Sequence, residues 1–119
     1  MKAKTPDSIH IYNGESYPCC ASLTMGIIGG KWKAVILFHL KNGTLRYSEL
    51  RKMMPTVTER TLSLQLRKLE DDGIVDRAVY HQKPPLKVEY SLSARGKTLI
   101  PIIEAIADWG DYVISEHPK

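Results

Sequence analysis

The side chains best suited to chemistry lie in one short stretch of the 119-residue chain. Between residues 58 and 70, Leu62, Leu66 and Leu69 recur at i, i+4 and i+7, the spacing of one buried stripe on a helix. With that stripe turned inward at about 100° per residue, Arg60, Thr61, Leu64, Arg67 and Lys68 project to the other side. A guanidinium can donate two parallel hydrogen bonds to guanine, a hydroxyl can serve several base edges, and an outward leucine can pack on a thymine methyl. Arg60 and Thr61, nearest the helix start, are best placed to read bases. Thr58 can supply the N-cap oxygen, although Thr56 with Glu59 three residues later also fits a capping box. A slightly different helical phase would turn Leu64 against a neighbouring element, and Arg67 and Lys68 also suit an ordinary solvated face.

The adjacent thiols Cys19 and Cys20 offer a second chemistry. Sequence neighbours do not close a structural loop. Both precede a short apolar helical stretch, where the helix dipole favours a thiolate and raises reactivity toward oxidants and quinone-like or aldehyde electrophiles. The plainer alternative is a small hydrophobe at a packed junction.

Other chemistries find no support in the residues. A phosphate loop ending at Gly30-Lys31 needs glycine where Met25 stands and Ser or Thr where Trp32 stands. His10, His39, His81 and His117 are scattered, and neither they nor the cysteines show metal-ligand spacing. No carboxylate pair accompanies a nucleophile or a glycine-rich turn. The expectation is a non-enzyme that carries no cofactor and no metal.

The elements that must position the cationic helix follow from the flanking sequence. Residues 21–28 form a short apolar helix ended by Gly29-Gly30, and residues 31–41 carry so many apolar side chains that they read as the central buried helix. Residues 44–46 form a brief extended link, and 47–54 a helix stopped by Pro55. The cationic helix then follows at once, so two helices stand in series across a tight turn, the arrangement in which the second enters the DNA major groove. Residues 74–80 and 87–92 read as two strands of a hairpin, a wing with Arg77, His81, Lys83 and Lys87 on or beside it and a tip stiffened by Pro84-Pro85. Those cations could neutralise phosphates; lysines on an edge hairpin also discourage aggregation. Ser93 can cap a last helix that Pro101 should bend. In that helix Leu99, Ile106 and Val113 are seven apart, as are Ile102 and Trp109, a seam suited to a second copy of the chain, or else to capping the core of its own protomer.

A formal charge of +4 and a pI near 9.1 agree with an anionic partner, and 43% hydrophobic with 25% charged residues is ordinary for a globular domain. No run approaches signal-peptide or membrane-span length, so the expected location is cytoplasmic, with no membrane partner.

Five blocks, Ile27-Ile28-Gly29-Gly30-Lys31-Trp32-Lys33, Arg46-Tyr47-Ser48-Glu49-Leu50, Thr58-Glu59-Arg60-Thr61-Leu62, Leu66-Arg67-Lys68-Leu69-Glu70 and Val88-Glu89-Tyr90-Ser91-Leu92, closely resemble HxlR-type, MarR-like bacterial regulators. They occur in the right order with the right gaps, over about residues 17–110. The resemblance implies a homodimeric winged helix-turn-helix protein acting on a nearby promoter. Family members usually carry Cys-Pro ten positions ahead of the paired glycines; that count falls on Cys19, with Cys20 in place of the proline. Members that sense oxidants or electrophiles use the matching cysteine, so Cys19 is the candidate sensor. Its products would be an intersubunit Cys19 bridge, a mixed disulfide with a small thiol, or alkylation.

The expected fold is mainly α with a small β-hairpin, a winged helix-turn-helix dimerising through terminal helices. It comprises a flexible segment 1–18, a winged helix-turn-helix DNA-binding domain 19–92 and a C-terminal dimerisation helix 93–119 packed on the same domain. The expected partner is double-stranded DNA bearing an inverted repeat, contacted by Thr58, Arg60, Thr61, Leu64, Arg67, Lys68, Lys83 and Lys87. A winged-helix protein-interaction module that lacks specific DNA binding is the alternative.

Overall fold

The apolar stretch around Ile36 and Leu37 becomes the central helix, and the other elements close around it. The computed structural model describes residues 10–80 and 83–117. In chain order these form β1 (His10–Tyr12), β2 (Glu15–Tyr17), α1 (Cys20–Ile28), α2 (Lys33–Leu40), β3 (Leu45–Arg46), α3 (Tyr47–Met53), α4 (Glu59–Asp71), β4 (Val75–Val79), β5 (Val88–Leu92), α5 (Ala94–Lys97) and α6 (Ile100–Glu116). Ile36, Leu37 and Leu40 of α2 are buried with Leu50 of α3, the Leu62, Leu66 and Leu69 stripe of α4, Ile74 and Val75, and Ile103 of α6. Each such side chain contributes roughly 1.5–3 kcal/mol on leaving water. Among the described residues, no single helix is long and apolar enough to cross a membrane.

The wing is the outer part of a three-stranded antiparallel sheet of order β3-β5-β4. Val75 pairs with Leu92 and Val79 with Val88, while the short link before α3 adds Leu45 opposite Tyr90. Tyr90 and Leu92 are buried, so the alternation seen in the sequence points one face of β5 into the core. His81 of the proposed wing lies outside the described residues.

Three expectations change. Residues 10–17, expected within a flexible segment, form an antiparallel hairpin in which His10 pairs with Tyr17. Its turn has φ of 52° at Asn13 and 83° at Gly14, positive at both central residues as a type I′ two-residue hairpin turn demands. The central helix starts at Lys33 instead of Lys31, after Gly30 adopts a φ of 87°. The last helix is two helices: the Ser93 hydroxyl accepts from Gly96 N at 3.0 Å and starts only α5. Pro101 then sits in the first turn of α6 and bends nothing, because its missing N–H would have had no helical partner there.

Candidate nucleic-acid interface

The join between α3 and α4 is held from both sides. Met54 and Val57 of the turn are buried, and Arg51 Nη1 donates to the Val57 carbonyl. Across the join, the Tyr47 hydroxyl donates to Glu59 O at 3.5 Å and lies 3.3 Å from Ser63 Oγ. The start of α4 is settled in favour of Thr58 over Thr56. Thr58 has extended backbone, and its Oγ1 accepts from Thr61 N at 3.1 Å. The same hydroxyl donates to Thr61 Oγ1 at 3.0 Å. Thr58 and Thr61 are therefore committed to the helix start, and Thr61, only half-exposed, retains one free hydroxyl proton.

With the leucine stripe buried, Arg60, Leu64, Arg67 and Lys68 all face solvent. Leu64 is 49% exposed, so the helical phase is the one that turns it outward and not against a neighbour. Arg67 Nε lies 3.7 Å from Asp71 Oδ1, but both side chains are mostly exposed. Such a pair is worth about 0.3–0.5 kcal/mol, so redirecting the guanidinium to a phosphate costs little.

The wing differs from expectation in its cations. Lys83 is exposed, whereas Lys87 is half-buried. Its Nζ is 3.4 Å from Glu89 Oε2 and 5.2 Å from the Tyr80 ring centroid. That side chain braces the wing stem and is already partnered. A groove between α4 and the wing is lined by Arg46, Ser48, Ser63 and Arg77. All four are exposed, and Arg46, Ser48 and Ser63 were missed in the sequence. The available signal was Arg46 immediately before a helix start, where the Glu49 carboxylate accepts from Arg46 N at 2.7 Å and leaves the guanidinium free.

Cys19 is the N-cap of α1 and is exposed. Its N–H donates to Ser22 Oγ at 3.3 Å, its carbonyl accepts from the Ser22 hydroxyl at 2.8 Å, and its Sγ lies 3.7 Å from Ser22 Oγ. The Ser22 backbone N–H, then its hydroxyl, hold the Cys19 thiol below its ordinary pKa of 9.0. Within the single chain the thiol faces outward and is not packed into the core. Cys20, the first residue of α1, is exposed beside it.

α6 buries Ile103 and leaves Ile102, Ile106 and Trp109 facing outward, three large apolar side chains on one stripe. The helix pair, its outward cationic face and the three-stranded wing together define a winged helix-turn-helix protein.

Comparison with known proteins agrees. A family profile described as HxlR-like helix-turn-helix matches residues 27–118. The HTH-type transcriptional regulator YybR of Bacillus subtilis (strain 168) is 50% identical over 93 residues, 78% of this chain and 74% of that protein. YdeP of the same organism, also an HTH-type transcriptional regulator, is 50% identical over 101 residues, 84% of this chain and 78% of its own. Among solved structures, the redox regulator HypR in its oxidised form superposes with a TM-score of 0.74 at 48% identity, covering 79% of this chain and 96% of that one. The chain belongs to the HxlR-like helix-turn-helix family, a family of transcriptional regulators.

Proposed function

We propose that this chain is a DNA-binding transcriptional regulator that grips an inverted repeat as a homodimer, under the control of thiol chemistry at Cys19. The observation that carries the reading is the outward face of α4: Arg60, Leu64, Arg67 and Lys68 project together from a helix whose other face is fully buried. In the major groove Arg60 and Leu64 meet base edges, with the free proton of Thr61 beside them, while Arg67 and Lys68 meet phosphates. Thr58 contributes by holding the helix start. Lys83 at the wing, with Arg46 and Arg77 at the groove behind it, extends the phosphate contact, and Lys87 keeps the wing in place.

The homodimer forms through the outward stripe of α6, within segment 93–119, and holds two copies of the 19–92 region for adjacent half-sites. A two-fold axis sets the two α4 helices about 34–36 Å apart, one DNA turn, and so selects an inverted repeat. At Cys19, two thiols from two protomers give up two protons and two electrons to an oxidant such as diamide and join in one S–S bond. A quinone or aldehyde instead forms a carbon–sulfur bond with the thiolate and takes up the proton. Exposure, the Ser22 hydrogen bonds and similarity to a redox regulator support this reading.

The test is duplex-DNA binding across a salt series for the wild type and for the double variant Arg60→Glu, Lys68→Glu. Each phosphate contact adds about −0.9 to the log–log salt slope. The expected result is a steep slope that the charge reversal flattens, with affinity falling and the fold and dimer unchanged. Unchanged binding would instead favour the interaction module. Treatment with diamide or a quinone is expected to change wild-type binding and to leave Cys19→Ser unmoved; an equal response of the two proteins rejects thiol control.

A further inference from the structure

The last carbonyls of a helix have no partner inside it, and at the end of α4 each can be traced to a donor. Ile74 N donates to Leu69 O and Gly73 N to Glu70 O, both at 3.0 Å, with Gly73 at a φ of 75°. This two-bond closure uses glycine in the left-handed conformation. The carbonyls of Asp71 and Asp72 are left over. Asn13 Nδ2 donates to Asp71 O at 2.9 Å and to Asp72 Oδ1 at 3.0 Å, and the Tyr12 hydroxyl donates to Asp72 O at 2.5 Å. Both donors come from the tip of the β1–β2 hairpin, 58 and 60 residues earlier in the chain.

The other end of that hairpin rests on α1. A Cβ at Gly26 would lie 2.7 Å from the Tyr17 ring, so the glycine marks a close seat for the tyrosine. β2 then runs through Pro18 directly into Cys19, the N-cap of α1. Arg95 of α5 lies over the Tyr12 ring, 5.5 Å from its centroid, and fixes the tip from above. Asp71 is exposed, so water could satisfy its carbonyl equally well. A short hairpin with a fixed two-residue turn adds orientation instead.

We infer that Tyr12 and Asn13 are positioning residues for DNA recognition: the β1–β2 hairpin is a strut that ties the N-terminus of α1 to the C-terminus of α4. A displacement at Cys19 reaches the recognition helix through the hairpin tip. The inference rests on the reading of α4 as recognition helix and of Cys19 as the modified thiol.

The test uses full-length protein in a Cys20→Ser background, with Cys19 free or alkylated by N-ethylmaleimide. Hydrogen exchange is read at the amides of Asp72, Gly73 and Ile74, alongside DNA affinity. Without the strut substitutions, alkylation is expected to speed exchange at these amides about fivefold, the equivalent of one ordinary hydrogen bond. In Tyr12→Phe with Asn13→Gly, exchange is already fast and alkylation adds nothing. Glycine keeps the positive φ of the turn, and phenylalanine keeps the ring beneath Arg95; Tyr12→Phe alone gives an intermediate response. An equal alkylation response with and without the strut, or no response at these amides in its presence, overturns the inference. If alkylation alters DNA affinity but not the amides, the strut falls and thiol control stands. If the amides respond and DNA affinity does not, the hairpin still ties the two helix ends, but its positioning role in DNA recognition falls and thiol control falls with it.

Discussion

Replacing Trp109 by alanine should dissociate the dimer without unfolding the protomer. Trp109 is 68% exposed in the single chain; taking its side chain at about 250 Å², roughly 170 Å² remains for a partner to cover. At about 25 cal/mol per Å², complete coverage would contribute roughly 4 kcal/mol. Incomplete coverage and side-chain ordering reduce this to about 2 kcal/mol. A two-fold interface loses the contribution twice, so the dimer weakens by roughly 4 kcal/mol, about a thousandfold in Kd. Sedimentation over a dilution series measures the constant. Circular dichroism checks that the fold persists, as it should, since Trp109 is absent from the buried core. A Kd within threefold of wild type would refute the assignment of the α6 stripe to the dimer. Cooperative binding to two half-sites should weaken in parallel.

Thr58→Ala removes the acceptor for Thr61 N and should cost about 1 kcal/mol, read by calorimetry as a Tm lower by roughly 4 °C; Thr58→Ser should restore most of it. Leu64→Ala, at an outward position, should leave stability within about 0.5 kcal/mol while relaxing base preference at one operator position, seen by competition among single-base variants. In a Cys20→Ser background, Cys19 should react with iodoacetamide with a midpoint at lower pH than a free cysteine, because the Ser22 hydrogen bonds stabilise the thiolate, which is the reacting form, and reaction rises through the lowered pKa. Ser22→Ala should move that midpoint up. Gly96→Ala would place a Cβ 2.2 Å from the Ile74 carbonyl oxygen and should cost about 1–3 kcal/mol in denaturant titration, since the neighbour is backbone that must shift.

What was legible in the sequence is what depends on local period. The α4 stripe and the apolar α2 announce themselves because burial repeats at helical spacing, and β5 because inward residues alternate. The outward direction of Leu64 followed from the same wheel and agrees with the structure. What escaped depends on partners distant in the chain or on an element boundary. Lys87 reads as a free cation until Glu89 and the ring of Tyr80 across the wing are placed beside it. Pro101 reads as a bend if the helix begins at Ser93 and as a helix start if it begins at Ile100. Asn13-Gly14 carries a hairpin signal of its own, but three-residue strands offer no alternation to confirm it. The carbonyls that hold the tip belong to the end of α4.

Sequence-specific recognition by the dimer is decided by selection of bound fragments from random duplex DNA, at low and physiological salt with reduced protein. The expected result is an enriched inverted repeat whose half-sites lie about one helical turn apart, and loss of that enrichment in the Arg60→Glu, Lys68→Glu variant. Recovery of no preferred sequence at either salt concentration, from protein shown to be folded and dimeric, would contradict it.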